Sequence, residues 1–352
     1  MIAVPSPLRL RLSSEALVAN WHWLAERSGA AACGAALKAD GYGLGAREVM
    51  RQLAAAGCRD FFVATWAEAA ALMPLPAGVS LSVLHGAGES DMVAARLLPA
   101  RPVLNSMEQV RRWREAGEGR PCDVMVDTGM NRLGLRVEEA MSGALDGLKI
   151  ETLHSHLASA DEDSDQNARQ LAAFRVLREQ IPAQRYSLAN SAGVCLGGDY
   201  AFDLTRPGIA LYGGVPRAEA AGHIRQVVFP EAKALQVRSV PAGETVGYGA
   251  SWTAARDSRV AVVNLGYADG YLRCHAGKGG ATWQGRALPL VGRVSMDLTA
   301  FEASEASVIE GDWLAINYDL TLTAEQSGMS PYELLTGLGR RFERRWTGEA
   351  DD

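Results

Sequence analysis

The stretch Ala31-Ala32-Cys33-Gly34-Ala35-Ala36-Leu37-Lys38-Ala39-Asp40-Gly41-Tyr42-Gly43 decides how this chain is read. It opens small and apolar, as a strand buried on both faces does, and then breaks into a polar turn at Lys38. Upstream, Ser13 or Ser14 can cap a helix that carries Leu17, Trp21 and Leu24 on one face. Downstream, residues 46–56 read as a helix closed by Gly57. The same alternation then recurs. Apolar runs fall at 61–64, 81–84, 101–104, 123–127, 148–156, 185–188 and 202–205, with mostly helical spacers such as 68–72. Eight strand–helix units in about 220 residues predict a (β/α)8 barrel rather than an open sheet.

The pattern changes near residue 225. Runs at 234–240, 259–265, 287–291 and 313–316 alternate in polarity, with turns such as Pro241-Ala242-Gly243 and Gly311-Asp312 between them. One amphipathic helix is expected near 331–338. The predicted class is therefore α/β plus all-β. A (β/α)8 barrel would occupy residues 8–225 and a C-terminal β domain residues 226–352, with residues 1–7 free to join the latter.

The 352 residues suit two domains, and 48% hydrophobic with 22% charged residues excludes a globally disordered chain. A net charge of −6 argues against general nucleic-acid binding and for small-molecule work. No uninterrupted apolar run reaches the roughly 18 residues of a membrane span. Met-Ile-Ala-Val-Pro-Ser-Pro lacks a charged segment followed by an apolar one, so a cytoplasmic location is expected. The five cysteines (33, 58, 122, 195, 274) are scattered with no CxxC pair. They read as free thiols, and no metal site is expected.

Working groups in such a barrel sit where strands end. The first strand ends in Lys38, and the fifth is followed by Asp127-Thr128-Gly129-Met130-Asn131-Arg132. The sixth ends in His154-Ser155-His156, the seventh leads to Asn190-Ser191-Ala192-Gly193, and the eighth to Arg206-Pro207-Gly208-Ile209. Singly, each has an ordinary explanation as a surface charge, a polar histidine or a turn residue. Together on one rim they suit an anionic cofactor with a carbonyl group. A desolvated lysine can form a Schiff base. Ser191 and the amides of Gly208 and Ile209 can hold a phosphate, and an arginine can meet a ring nitrogen or phenolate.

These residues resemble the alanine racemase family, fold type III pyridoxal-phosphate enzymes. The likeness runs from Ala36-Leu37-Lys38-Ala39-Asp40-Gly41-Tyr42-Gly43 through Val126-Asp127-Thr128-Gly129-Met130-Asn131-Arg132-Leu133-Gly134 and His156 with Ala160-Asp161-Glu162. It continues through Asn190-Ser191-Ala192, Arg206-Pro207-Gly208-Ile209 and Gly247-Tyr248-Gly249. Leu265-Gly266-Tyr267-Ala268-Asp269-Gly270 and Gly292-Arg293-Val294-Ser295-Met296-Asp297 complete it. The resemblance implies pyridoxal 5'-phosphate on Lys38, and two-base racemisation of alanine with Lys38 serving the D-face. Tyr248 of the partner subunit would serve the L-face, in a homodimer with shared active sites. It implies Tyr42, Ser191, Gly208 and Ile209 at the phosphate, Arg206 at the ring nitrogen, and His156 orienting the cofactor. Arg132 would reach the cofactor's phenolic oxygen and the substrate carboxylate, helped by the Met296 amide. Tyr267 and Asp297 would narrow the mouth. The product would feed peptidoglycan precursor synthesis, or the reverse reaction D-alanine breakdown.

Two positions depart from the family. A lysine, often carbamylated, that orients the arginine is replaced by Met125, which leaves Arg132 to be held otherwise, for instance by a bound anion such as chloride. A C-terminal tyrosine at the phosphate is missing from Leu338-Gly339-Arg340-Arg341, where Arg340 either substitutes as a donor or the contact is lost. Three other readings compete. A racemase of serine, basic or broader substrates would carry the same motifs. An amino-acid decarboxylase would show a Gly-rich phosphate loop and a C-terminal cysteine motif, neither of which is found. A non-catalytic pyridoxal-phosphate-binding protein would lack Tyr248 and Met296.

Overall fold

In a computed structural model of the protein, residues 4–347 are described. They fall into two compact units: one from Ala16 to Arg225, the other joining the segment that ends at Glu15 to that beginning at Gln226.

The first unit is the (β/α)8 barrel. Its strands are β2 (Ala32–Cys33) continuing as β3 (Ala35–Ala36), β4 (Asp60–Val63), β5 (Ser80–Val83), β6 (Arg101–Leu104), β7 (Cys122–Met125), β8 (Ile150–His154), β9 (Arg185–Ser187) and β10 (Leu204–Thr205). Strands β3 to β9 pair in parallel in sequence order, and β10 pairs with β2. The ring closes between β9 and β10, where the Asp203 amide donates to Tyr186 O (3.0 Å) and the Arg206 amide to Ala189 O (2.9 Å). All four residues of β4 and of β7 are buried, as a barrel strand enclosed by side chains and covered by helices demands. Gly34 splits the first strand: a Cβ there would stand 2.8 Å from Asp60 O and 2.9 Å from the Phe62 ring. The start of the barrel is plugged by ion pairs. Arg185 grips Asp60 with two nitrogens (2.7 and 3.0 Å), and Arg101 meets buried Asp123 (3.3 Å).

The second unit is an antiparallel β barrel. Strands β11 (Val228–Val240), β14 (Ser258–Val263), β17 (Thr299–Glu302), β16 (Arg286–Val291), β15 (Gly280–Trp283) and β18 (Trp313–Ile316) form a ring, because β11 pairs with both β18 and β14. The long β11 serves both neighbours through a register shift between Ala234 and Gln236. A short hairpin of β12 (Thr245–Val246) and β13 (Trp252–Thr253) stands beside it. Val240, Ala254, Val260 and Val291 form one core cluster there.

Residues 8–15 were counted with the barrel in the sequence reading, yet they group with the β unit. Strand β1 (Leu8–Leu12) lies between β11 and β19 (Glu343–Trp346). Leu8, Leu10 and Leu12 are fully buried, so the apolar half of its alternation needs that sheet. The C-terminal region also holds two helices where one was expected, Leu320–Ser327 and Pro331–Thr336, capped by Asp319 and Ser330.

Candidate active site

Lys38 lies two residues beyond β3, and the chain then turns left-handed for four residues. Ala39, Asp40, Gly41 and Tyr42 have φ of 54°, 53°, 62° and 56°. Only Gly41 adopts this without strain. The turn is held from outside. Glu68 Oε1 accepts the Ala39 amide (2.7 Å), while its other oxygen accepts Ala64 N (2.7 Å) and Thr65 N (3.2 Å). Asp40 Oδ1 accepts Ala46 N (2.8 Å) and so starts the next helix. Glu68 escaped the sequence reading, although Thr65-x-x-Glu68 is a capping box whose hydroxyl and carboxylate both engage. Strain held beside a reactive group in this way fixes where that group stands.

The Lys38 ammonium is pushed below its ordinary pKa, first by loss of water around it, then by the Arg132 charge, with Glu68 opposing. A lowered pKa leaves more of the amine neutral, as a nucleophile or base requires. His156 is pushed down to about 3 by burial and by Arg206, Arg132 and Lys38, so it is a neutral ring among cations. The structure thus brings Lys38, Arg132 and Arg206 within electrostatic reach of His156, and Lys38 within reach of Arg132.

Arg206 is buried. It donates to Ser187 Oγ and to Ser155 O (2.5 Å), both neutral acceptors. Burial lowers its pKa to about 10, against the distant help of Asp123, so it stays charged at neutral pH. Beside it, buried Ser191 Oγ accepts the amides of Gly208 (2.8 Å) and Ala210 (3.3 Å). The sequence reading placed the amides of Gly208 and Ile209 at a phosphate; in the structure the Gly208 amide is shared with Ser191 Oγ. Having accepted twice, the hydroxyl keeps its own proton to donate outward. Ile209 is buried and opens the turn Ile209–Tyr212. Tyr42 stacks on Tyr212 (centroids 4.5 Å apart), and its hydroxyl lies so close to Gly208 that a Cβ there would stand 2.1 Å from Oη. Such a floor, with a serine hydroxyl, backbone amides, a phenol and a buried unneutralised arginine, fits an anionic aromatic aldehyde.

Arg132 is exposed at the end of a loop organised by Asp127, whose carboxylate accepts the amides of Gly129 (2.8 Å), Met130 (2.8 Å) and Arg132 (2.9 Å). Those bonds hold Asp127 below its ordinary pKa although burial opposes them. Met125 lies buried beneath the loop and supplies no charge.

The remaining candidates lie in the β unit. Tyr248 is 72% exposed and flanked by Gly247 and Gly249 with φ of 77° and 73°. It rims a cavity of about 530 Å³ with Arg238, Glu244, Arg293, Ser295 and an apolar floor that includes Val260. Tyr267 and Met296 are brought together: Tyr267 N donates to Ser295 O (3.0 Å) and Ala268 N to Met296 O (3.1 Å). A side chain on Gly266 would strike Met296 O at 2.2 Å. Asp297 pairs with Arg341 (2.7 Å), which also grips buried Asp269 with two nitrogens (2.6 and 2.7 Å). Arg340 is exposed.

A strand-following lysine near a neutral histidine and two arginines, one of them buried, in a (β/α)8 barrel followed by an antiparallel β barrel is the build of the barrel-type pyridoxal-phosphate enzymes. Family profiles agree. "Alanine racemase, N-terminal domain" matches residues 12–216 and "Alanine racemase, C-terminal domain" matches residues 227–346. An alanine racemase of Acidiphilium cryptum is 43% identical over 350 residues, covering 95% of this chain and 97% of that one. Two Agrobacterium fabrum relatives, named catabolic and biosynthetic, are 42% and 40% identical over 96% and 99% of this chain, and 91% and 95% of their own lengths are covered. The crystal structure of alanine racemase from Bartonella henselae with covalently bound pyridoxal phosphate superposes with a TM-score of 0.88 at 35% identity, covering 97% of this chain and 100% of that one. The chain belongs to the alanine racemase family.

Proposed function

We propose that the chain interconverts L-alanine and D-alanine with pyridoxal 5'-phosphate, and that Lys38 and Tyr248 are its two proton carriers. The observation that carries this is the cradle in the barrel unit, where Lys38 and Arg206 both act on His156 and the buried Arg206 guanidinium donates to two neutral acceptors, Ser187 Oγ and Ser155 O. When bound, pyridoxal phosphate supplies an aldehyde that captures an amino group and a ring that draws electrons from the adjacent Cα.

The chain's residues then have the following work. Ser191, Tyr42 and the amides of Gly208 and Ile209 would hold the phosphate, and Arg206 would donate to the ring nitrogen. An arginine donates there without giving up its proton, which restrains how far the ring draws electrons and disfavours side reactions. His156, neutral in this site, would orient the ring without adding charge. Arg132 and the Met296 amide would bind the substrate carboxylate, with Tyr267 and Asp297 limiting side-chain size. Tyr248 Oη removes the Cα proton of L-alanine while the Lys38 ammonium delivers one to the opposite face. In the reverse direction neutral Lys38 removes the proton of D-alanine and the Tyr248 hydroxyl supplies one.

We also infer a cytoplasmic homodimer in which the partner's Tyr248 completes each site. Exposed Tyr248 and Leu298 (41%), which line one cavity, and exposed Met296 (54%) support this, since exposed large apolar groups suit a covered surface. The free cysteines suit a reducing compartment. No helix among the described residues is long and apolar enough to cross a membrane. The test is a substrate panel of alanine, serine, lysine and arginine followed by circular dichroism. Racemisation fastest with alanine is expected; none with alanine would overturn the proposal.

A further inference from the structure

The helix Asp165–Gln180 turns two side-chain amides away from itself, at Gln166 and Gln170, one turn apart. Gln166 Nε2 donates to Gly129 O in the Arg132 loop (2.8 Å), and its Oε1 accepts from Ser159 Oγ (2.9 Å). Gln170 is fully buried. Its Oε1 accepts the Ala158 amide (2.9 Å), and its Nε2 donates both to His156 O (2.9 Å) and to Thr128 Oγ1 (3.2 Å). Thr128 Oγ1 also shares a hydrogen bond with Ser155 Oγ (2.7 Å), and Ser155 O accepts from Arg206 (2.5 Å). The loop and helix also touch: a Cβ on Gly129 would lie 3.6 Å from Gln170 Cγ. One side-chain amide thus ties the segment that carries Arg132 to the one that carries His156, and through Thr128 and Ser155 the chain of contacts reaches the Arg206 side chain.

We infer that Gln170 is a positioning residue for this site. It fixes the Arg132 loop through the Thr128 hydroxyl, where Met125 supplies no charge to fix Arg132 through the guanidinium. The inference rests on the reading of Arg132 as the group that binds the substrate carboxylate. Gln170 touches neither substrate nor cofactor; it acts by holding the loops that do. Removing its amide leaves buried partners unpaired and frees the Arg132 loop, so substrate binding suffers before chemistry does.

The test uses the holoenzymes of Gln170→Met, Thr128→Val and the double variant, beside wild type. The expected result is a KM for L-alanine raised about tenfold with kcat within about threefold. The visible absorption of bound cofactor is retained, and the double variant is no worse than Gln170→Met, because one linkage is broken in both. Three results overturn the inference: an unmoved KM; kcat, cofactor content and thermal midpoint falling together; or the two single effects multiplying. Should Gln170→Met fail to fold, Thr128→Val is judged by the same KM criterion. Wild type that does not racemise alanine removes the reading and the inference together, whereas active wild type with unmoved variants removes only the inference.

Discussion

Gly208→Ala puts the proposed phosphate floor to a quantitative test. The new Cβ would lie 2.1 Å from Tyr42 Oη, 3.0 Å from Cζ and 3.5 Å from Ala36 Cβ. Ordinary contact begins at 3.4 Å, so the phenolic oxygen must retreat by about 1.3 Å in a close-packed setting. It has little room. Tyr42 is buried and stacks on Tyr212, whose hydroxyl is tied to Ala36 O (2.7 Å). Gly208 has a φ of −128°, so the substitution adds crowding and no left-handed strain. Overpacking of this kind costs about 1–3 kcal/mol, and displacing Tyr42 from the phosphate should weaken cofactor retention by about tenfold to a hundredfold. The assay is titration of the apoprotein with pyridoxal phosphate, followed by the visible band, with Ser191→Ala alongside. Unchanged affinity in Gly208→Ala would refute the assignment of this floor.

Acid stability and the substrate mouth give further expectations. His154, buried with its Nε2 3.6 Å from Asp123, is held down to about 4 by burial with Arg206 adding and Asp123 opposing, and His156 is held to about 3. The unfolded chain binds more protons below about pH 6.5, so stability falls as pH drops from there through the folded values, by about 3 kcal/mol for His154 at the acid limit. Asp123, lowered to about 2, extends the loss further. Urea unfolding against pH should show this slope and show it reduced in His154→Gln; an equal slope in both would count against it. In the β unit, Asp269→Asn breaks the two-nitrogen grip of Arg341 and weakens the bond from Gly266 N (3.1 Å) that starts the Tyr267 turn. A loss of about 2 kcal/mol in unfolding free energy is expected, with KM for alanine rising; a stable variant with normal KM would contradict that role.

The barrel was legible because its strands are short, apolar and buried on both faces, so 61–64, 101–104 and their neighbours stand out against helical spacers. Strand β1 was not assigned to its sheet. Its period of two is plain in Leu8, Leu10 and Leu12, but Arg9 finds Glu231, 222 residues along the chain, and periodicity says nothing about partners so distant. In the site, Lys38 and Arg206 could be read from their places at strand ends. The left-handed turn could not: Gly41 hints at it, but Ala39, Asp40 and Tyr42 adopt it only because Glu68 and Asp40 itself hold the backbone. Gln170 was invisible for the same reason, since its partners Thr128, His156 and Ala158 come together only in the folded barrel.

The central claim is that a lysine from one subunit and a tyrosine from the other move the proton. Lys38→Ala and Tyr248→Phe are each expected to be nearly inactive as pure dimers. Unfolded together and refolded at equal concentrations, they form mixed dimers in which one of the two sites regains both residues, so about a quarter of wild-type racemase activity should return. A mixture no more active than its separate components, at a stage when mixed dimers are demonstrably present, would contradict the account.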